Sequence, residues 1–265
     1  MIDTVEFHGA YLRYLDAGRG DAVVLIHGYL ESLDIWEGFA EDLSGHYRVV
    51  AMDLPGHGES GCISNVHTMA LMADAVKHVL DHLEIHRAVI VGHSMGGYAT
   101  LAFAEIYPEI TLGFVLFHSH ALADPPEKRS NRERTINLVR AGKKRQVIGN
   151  HCPLTFAKDN LEKLKAEVEF TAGIAAGTPG EGIIAALEGM KIRPDRQRVL
   201  TESAVPAMVI AGRKDNFISM EVAESHFRLA RDHENLILEN SGHMGFIEER
   251  EASLNGLLKF LKRIY

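Results

Sequence analysis

The hexapeptide Gly92-His93-Ser94-Met95-Gly96-Gly97 lies between an apolar, β-branched run at 88–91 and a small-residue stretch at 95–107 that reads as a helix ending before Pro108. A serine on such a strand-to-helix turn exposes its hydroxyl at the end of a sheet, where it can attack a carbonyl carbon. Glycine is required on both sides because a Cβ would collide with the tightened backbone. The helix beyond points its positive end at the same place. The hydroxyl also needs a base. His243, in the glycine-bracketed loop NSGHMGFIEE, can supply one, because an imidazole of ordinary pKa, about 6.5, takes and returns a proton near neutrality. Asp215 closes the run VPAMVIAGRKD at 205–215 and would hold that imidazole from the carboxyl edge of the sheet. Asp124 is the competing acid, although its Pro-Pro context reads as the start of a different segment. Ser94, Asp215 and His243 follow the order nucleophile, acid, base, which is found where a serine occupies this kind of turn.

Attack on a carbonyl creates a tetrahedral oxyanion that must be stabilised. HGYLES at 27–32 follows the apolar run AVVLI and offers the Tyr29 N–H, which pairs with the Met95 N–H as the expected oxyanion donors, with Gly28 keeping the turn open. Gly28, His93 and His118 are read as pocket or structural positions. His118-Ser119-His120 ends the run at 111–120, and two imidazoles on one strand face invite a metal ion. No third ligand with fitting spacing follows, so neither a metal nor another cofactor is expected. DLPGHGES at 53–60 reads as a tight Pro-Gly turn in preference to a site wall.

The elements that must position these residues are visible as near-continuous apolar runs at 22–28, 47–53, 88–94 and 111–120, the pattern of strands covered on both faces in a parallel sheet. Residues 67–83 form an amphipathic helix pattern between two of them. Sheet texture stops after His120. Residues 121–203 carry two adjacent prolines, basic runs at 128–134 and 143–145 that read as solvated helix faces in preference to a gate for an anionic substrate, and TAGIAAGTPGEG at 171–182, which reads as a loop between helices. Strand-like runs return at 205–215 and 235–243, followed by a helix pattern at 247–264. The expected organisation is an α/β core, 1–120 and 204–265, interrupted by a helical insertion, 121–203.

Of the 265 residues, 46% are hydrophobic and 24% charged, the balance of a folded globular chain. A formal net charge of −8 argues against a nucleic-acid partner, which would call for a concentrated basic surface. No apolar run approaches the ~20 residues needed to cross a bilayer, and the amino terminus lacks the basic start and apolar stretch of a secretory signal. A cytoplasmic chain without stable membrane insertion is expected. Cys62 and Cys152 are far apart and in no paired ligand spacing, which suits a reducing compartment.

With these residues in view, His27-Gly28, Asp53-x-Pro55-Gly56-His57-Gly58-x-Ser60, Gly92-His93-Ser94-Met95-Gly96-Gly97, Asp215 and Ser241-Gly242-His243 resemble the α/β-hydrolase superfamily across nearly the whole core. The resemblance implies an eight-stranded, mostly parallel sheet flanked by helices, with a helical cap inserted after the sixth strand. It implies no cofactor, a small acyl-bearing molecule as partner, and cleavage of a carboxylic ester through an acyl-enzyme. Epoxide hydrolases and haloalkane dehalogenases of this fold carry aspartate where this chain has Ser94, so those activities are not expected. Carbon–carbon-bond hydrolases, thioesterases and cofactor-free perhydrolases share the same three residues, and some members of the fold are small-ligand receptors. These stay open beside an esterase or monoacylglycerol-lipase-like enzyme.

Overall fold

The computed structural model describes residues 1–229 and 231–265. Its strands are β1 (Ile2–Phe7), β2 (Ala10–Ala17), β3 (Ala22–Ile26), β4 (Arg48–Met52), β5 (Ala88–His93), β6 (Thr111–Phe117), β7 (Ala207–Gly212) and β8 (His233–Leu238). They form one eight-stranded sheet in the order β1-β2-β4-β3-β5-β6-β7-β8. β2 is antiparallel to β1 and β4, and every pair beyond is parallel. The mostly parallel sheet expected from the apolar runs is therefore present. The β1–β2 hairpin is not apparent in the sequence. Its two-residue loop, His8-Gly9, takes φ of 51° and 79°, the left-handed pair that such hairpins require, but histidine is an unusual residue for the first position.

The apolar runs place the strands correctly but overstate their length. β3 stops at Ile26, β6 at Phe117 and β7 at Gly212, so His27-Gly28, His118 to His120 and Asp215 all leave the ladder at the carboxyl edge. Their side chains need polar partners that a strand between two apolar layers cannot offer.

The core helices are α1 (Glu37–Ser44), α2 (Met69–His82) and α3 (Met95–Ile106). Five helices follow β6 and precede β7: α4 (Pro126–Arg140), α5 (Lys144–Thr155), α6 (Lys165–Gly177), α7 (Gly180–Lys191) and α8 (Gln197–Glu202). The chain closes with α9 (Met220–Phe227), α10 (Gly245–Glu248) and α11 (Arg250–Ile264). Alternate strand residues feed two apolar layers, as a period of two dictates. Val24, Ile26, Val50 and Ile90 pack with Val76 and Val79 of α2 and Ala99 and Phe103 of α3. Val23, Leu25, Val89 and Val91 pack with Phe39 and Leu43 of α1 and Leu257 and Phe260 of α11. The chain moves from β3 to β4 on one side and then returns to β5 on the other. Strand order thus reverses at β3, which opens a crevice beyond its carboxyl end.

Two sequence readings are corrected. Residues 171–177 of the supposed loop are the last turns of α6, and only Thr178 and Pro179 connect it to α7. The expected 247–264 helix is split at Glu249, whose φ of −132° and ψ of 56° are not helical. The Glu249 carboxylate accepts from Asn240 N–H and Ser241 Oγ, so the break serves the loop carrying His243. Cys62 and Cys152 are both free thiols. Among the described residues, no helix is long and apolar enough to cross a membrane.

Histidine burial predicts how stability responds to acid. Burial pushes His57 and His120 from 6.5 down to about 3, and His67, His118 and His151 down to about 4. Below pH 6.5 the unfolded chain therefore binds more protons than the folded one, so stability is lost as pH falls towards 4. Each such proton contributes a slope of up to about 1.4 kcal/mol per pH unit. Calorimetric unfolding across this range should show a steeply falling Tm with uptake of several protons. A Tm independent of pH over the same interval would contradict it.

Candidate active site

Ser94 occupies the turn between β5 and α3 with φ of 51° and ψ of −113°, a conformation that costs a non-glycine residue roughly 1–3 kcal/mol. Its surroundings enforce the strain. The Ser94 N–H donates to the Phe117 carbonyl at 2.9 Å, and the Ser94 carbonyl accepts from Ser119 Oγ at 2.7 Å and from Gly97 N–H at 3.0 Å. A Cβ on Gly92 would run into the Gly96 carbonyl and Thr100 Oγ1, and one on Gly96 into the Ile26 and His27 carbonyls. The two flanking glycines are therefore needed for close approach of α3 to β3 and β5, as the motif suggests.

Asp215 and His243 meet across the loops after β7 and β8. His243 Nδ1 lies 2.7 Å from Asp215 Oδ2, while Asp215 Oδ1 accepts the N–H groups of Phe217 and Ile218 at 2.8 and 3.1 Å. Burial would raise the Asp215 carboxyl, but His243 and His118 outweigh it and hold the group well below the ordinary carboxylate range. A carboxylate fixed in this state holds the His243 proton on Nδ1 and leaves Nε2 as the basic nitrogen. Asp124, the competing acid, is elsewhere. It is buried between Arg132 and Arg193 and has no contact with His243.

His118 does not line the cavity. Its side chain is buried, with Nδ1 3.3 Å from Asp215 Oδ2 and Nε2 accepting from Gly245 N–H at 3.1 Å. The Gly212 N–H also approaches Nδ1, at 3.2 Å, and the stronger acceptor, Asp215, sets the proton on that nitrogen. Burial lowers His118 to about 4, so the ring is neutral and gives Asp215 a second N–H donor. Ligand atoms of His118, Asp215 and His243 lie within 4.8 Å of one another, a cluster that shares only His118 with the His118–His120 pair that the sequence raises as a metal site. Both imidazoles nevertheless turn Nδ1 onto one carboxylate oxygen, an arrangement of hydrogen bonds in which the donor protons occupy the space a cation would need.

Glu31, which the sequence reading passed over, organises the opposite wall. Its carboxylate accepts from Gly28 N–H at 2.6 Å and lies 2.9 Å from His93 Nδ1, while His93 Nε2 donates to the His243 carbonyl at 2.8 Å. Burial opposes charge on both groups, yet each overcomes it for the other: the His93 pKa is raised and that of Glu31 is lowered. Gly28 and His93 thus hold this wall together. A Cβ at Gly28 would lie 2.9 Å from both Glu31 and His93. Among the described residues, neither the Tyr29 N–H nor the Met95 N–H has an acceptor in the protein.

Ser94 and His243 line one cavity of about 370 Å³, with Tyr29, Glu31 and Tyr98 from the core side. Residues of α4, α5 and α7 cover it, including Lys128, Arg132, His151 and Leu187. The 128–134 run, expected to be a solvated face in preference to a gate, is solvated only in part. Lys128 and Arg132 face the cavity because they are spaced four apart on one side of α4. His151 stacks edge-on to Tyr29 at 5.4 Å and had no signal in the sequence beyond being one of 15 histidines. The groove beside the β1–β2 hairpin is larger, about 820 Å³, but contains no serine, cysteine or histidine.

The chain belongs to the alpha/beta hydrolase fold family, whose model matches residues 21–250. It is 30% identical to the 2-hydroxy-6-oxononadienedioate/2-hydroxy-6-oxononatrienedioate hydrolase of Burkholderia vietnamiensis, covering 99% of this chain and 95% of the relative. It is also 30% identical to the dihydrolipoyllysine-residue acetyltransferase component of the acetoin cleaving system of Pseudomonas putida, covering 97% of this chain and 68% of that protein. A thermophilic esterase from Thermogutta terrifontis, solved with malate bound, superposes with a TM-score of 0.94 at 29% identity, covering 99% of this chain and 97% of the esterase.

Removing one partner of a buried ion pair leaves the other charge uncompensated. Glu31→Gln keeps the shape but strands His93, and should cost about 3–5 kcal/mol in denaturant unfolding. A loss under about 1 kcal/mol, the level of an exposed pair, would show that the pair is not charged.

Proposed function

We propose that this protein is a serine hydrolase that cleaves carboxylic esters of small molecules through an acyl-enzyme formed on Ser94. The observation that carries the reading is the 2.7 Å bond from His243 Nδ1 to Asp215, with His243 and the strained Ser94 lining one cavity. His243 Nε2 takes the Ser94 proton as Oγ attacks the ester carbonyl, and the Tyr29 and Met95 N–H groups hold the oxyanion. His243 then returns the proton to the departing alcohol. Water, deprotonated by the same nitrogen, attacks the acyl carbonyl, releasing the acid and restoring the serine. Asp215 stays ionised throughout and stabilises the imidazolium; His118 positions Asp215. No metal or cofactor enters this sequence of steps.

In this reading, 121–203 acts as a cap on the core formed by 1–120 and 204–265, and its helices shape the acyl pocket. The partner is a small acyl-bearing molecule. The net charge of −8 supports neither a nucleic-acid partner nor attachment to an anionic membrane surface, and the reading places the chain in the cytoplasm.

A second reading, hydrolysis of a carbon–carbon bond beside a carbonyl, is favoured by the B. vietnamiensis relative, a hydrolase named for oxo-dienedioate substrates. The same serine and histidine would serve it. Turnover of simple alkyl esters against a 2-hydroxy-6-oxo-dienoate distinguishes the two.

A fluorophosphonate probe should label the wild-type protein and fail to label Ser94→Ala or His243→Ala, with ester turnover falling by about 10⁴-fold or more. Undiminished turnover in Ser94→Ala would refute the assignment. A folded protein that is never labelled and turns over nothing would instead be a binding module.

A further inference from the structure

We propose that the α4 side of the cavity recognises a carboxylate, and that the substrate is an ester bearing a second, free carboxylate group. The proposal rests on the hydrolytic reading of Ser94 for its chemistry, but its evidence lies on the opposite wall. Lys128, Arg132 and Thr135 lie at successive turns on one face of α4 and line the cavity together with Tyr29.

These groups carry more positive charge and more donors than the protein answers. Asp124, wholly buried, is shared by two guanidiniums: Arg132 through Nε and Nη2, and Arg193 through Nη1 at 2.6 Å. Arg193 is only 2% exposed, and its Nε and Nη2 are buried without a partner. Its guanidinium lies 3.9 Å over the ring of Tyr98, which itself lines the cavity. Among the described residues, Lys128 Nζ reaches only the Phe217 carbonyl, at 3.2 Å. Among the described residues, Arg132 Nη1 has no hydrogen-bond partner, and the Tyr29 hydroxyl is buried without one. Among the described residues lining the cavity, Glu31 is the one acidic side chain, and His93 matches its charge.

One carboxylate therefore serves two arginines, while Lys128, Arg132 and Tyr29 line the cavity with donors that the protein answers only in part. A planar carboxylate suits this set, since it can accept from the Lys128 ammonium and the Arg132 guanidinium, which share one face of α4. A neutral acyl chain would leave the donors desolvated and unpaired, so the wall selects against it. Phosphate shares the anionic chemistry, and the experiment separates the two.

Glutarate and inorganic phosphate are titrated calorimetrically into the Ser94→Ala protein, where no turnover interferes. In parallel, kcat/KM is measured on the wild-type protein for monomethyl glutarate and for methyl pentanoate. Glutarate should bind more tightly than phosphate, and adding Lys128→Met or Arg132→Gln should weaken it at least about tenfold, the scale of a charge-assisted hydrogen bond. The wild-type preference for the half-ester should exceed about tenfold and fall in each variant. Lys128→Met leaves Asp124 with both arginines, so a loss confined to a misfolded Arg132→Gln protein would not count as support. The proposal is overturned if glutarate fails to bind, binds both variants as tightly as it binds the Ser94→Ala protein, or binds less tightly than phosphate, or if the neutral ester is preferred. Failure of the hydrolytic reading is seen separately, as a wild-type protein that a fluorophosphonate does not label while glutarate still binds.

Discussion

The buried ion pair between Glu31 and His93 ties together the three loops that carry the candidate chemistry. Glu31 grips the Gly28 N–H beside the Tyr29 amide, His93 is the residue immediately before Ser94, and the far nitrogen of His93 holds the His243 carbonyl. Burying two such charges costs several kcal/mol each, and only good geometry with further hydrogen bonds offsets it. Both conditions are met here at 2.9 Å. The consequence is positional more than energetic: the Tyr29 amide, Ser94 and His243 cannot move independently.

The sheet supplies what the ion pair connects. Reversal of strand order at β3 leaves a crevice beyond its carboxyl end, and β3, β5, β7 and β8 each send a polar loop into that region. Ser94 is held in its positive-φ conformation by hydrogen bonds with Phe117 and Ser119, which lie at and beyond the end of the neighbouring β6. Asp215 in turn receives N–H donors from His243, His118 and its own loop, which explains why a carboxylate buried this deeply stays charged. The chemistry is thus anchored in the rigid end of the sheet, while α4, α5 and α7 provide the wall that faces the substrate.

Much of this was legible in the residues. Gly92-x-Ser94-x-Gly96 was readable because close backbone approach excludes every other residue type at its flanks, and Asp215 and His243 because their loops follow apolar runs. Strand ends were less clear, since His27, His118 and Asp215 continue an apolar run in sequence yet leave the ladder to find polar partners. Glu31 carried no signal, because a glutamate three residues after a glycine is unremarkable until His93 closes on it. The hairpin hid behind a left-handed histidine. The α4 wall was half visible: spacing of four showed that Lys128 and Arg132 share a face, but only packing on the core reveals that this face looks inward.

The account turns on a covalent bond between Ser94 and the acyl group of a substrate. Acid quenching of the wild-type protein during turnover of 4-nitrophenyl acetate, followed by peptide mass mapping, tests this directly. Acetyl mass on the peptide containing Ser94, absent from unreacted protein, is the expected result. Sustained turnover with no adduct, or with the adduct on another residue, would contradict it.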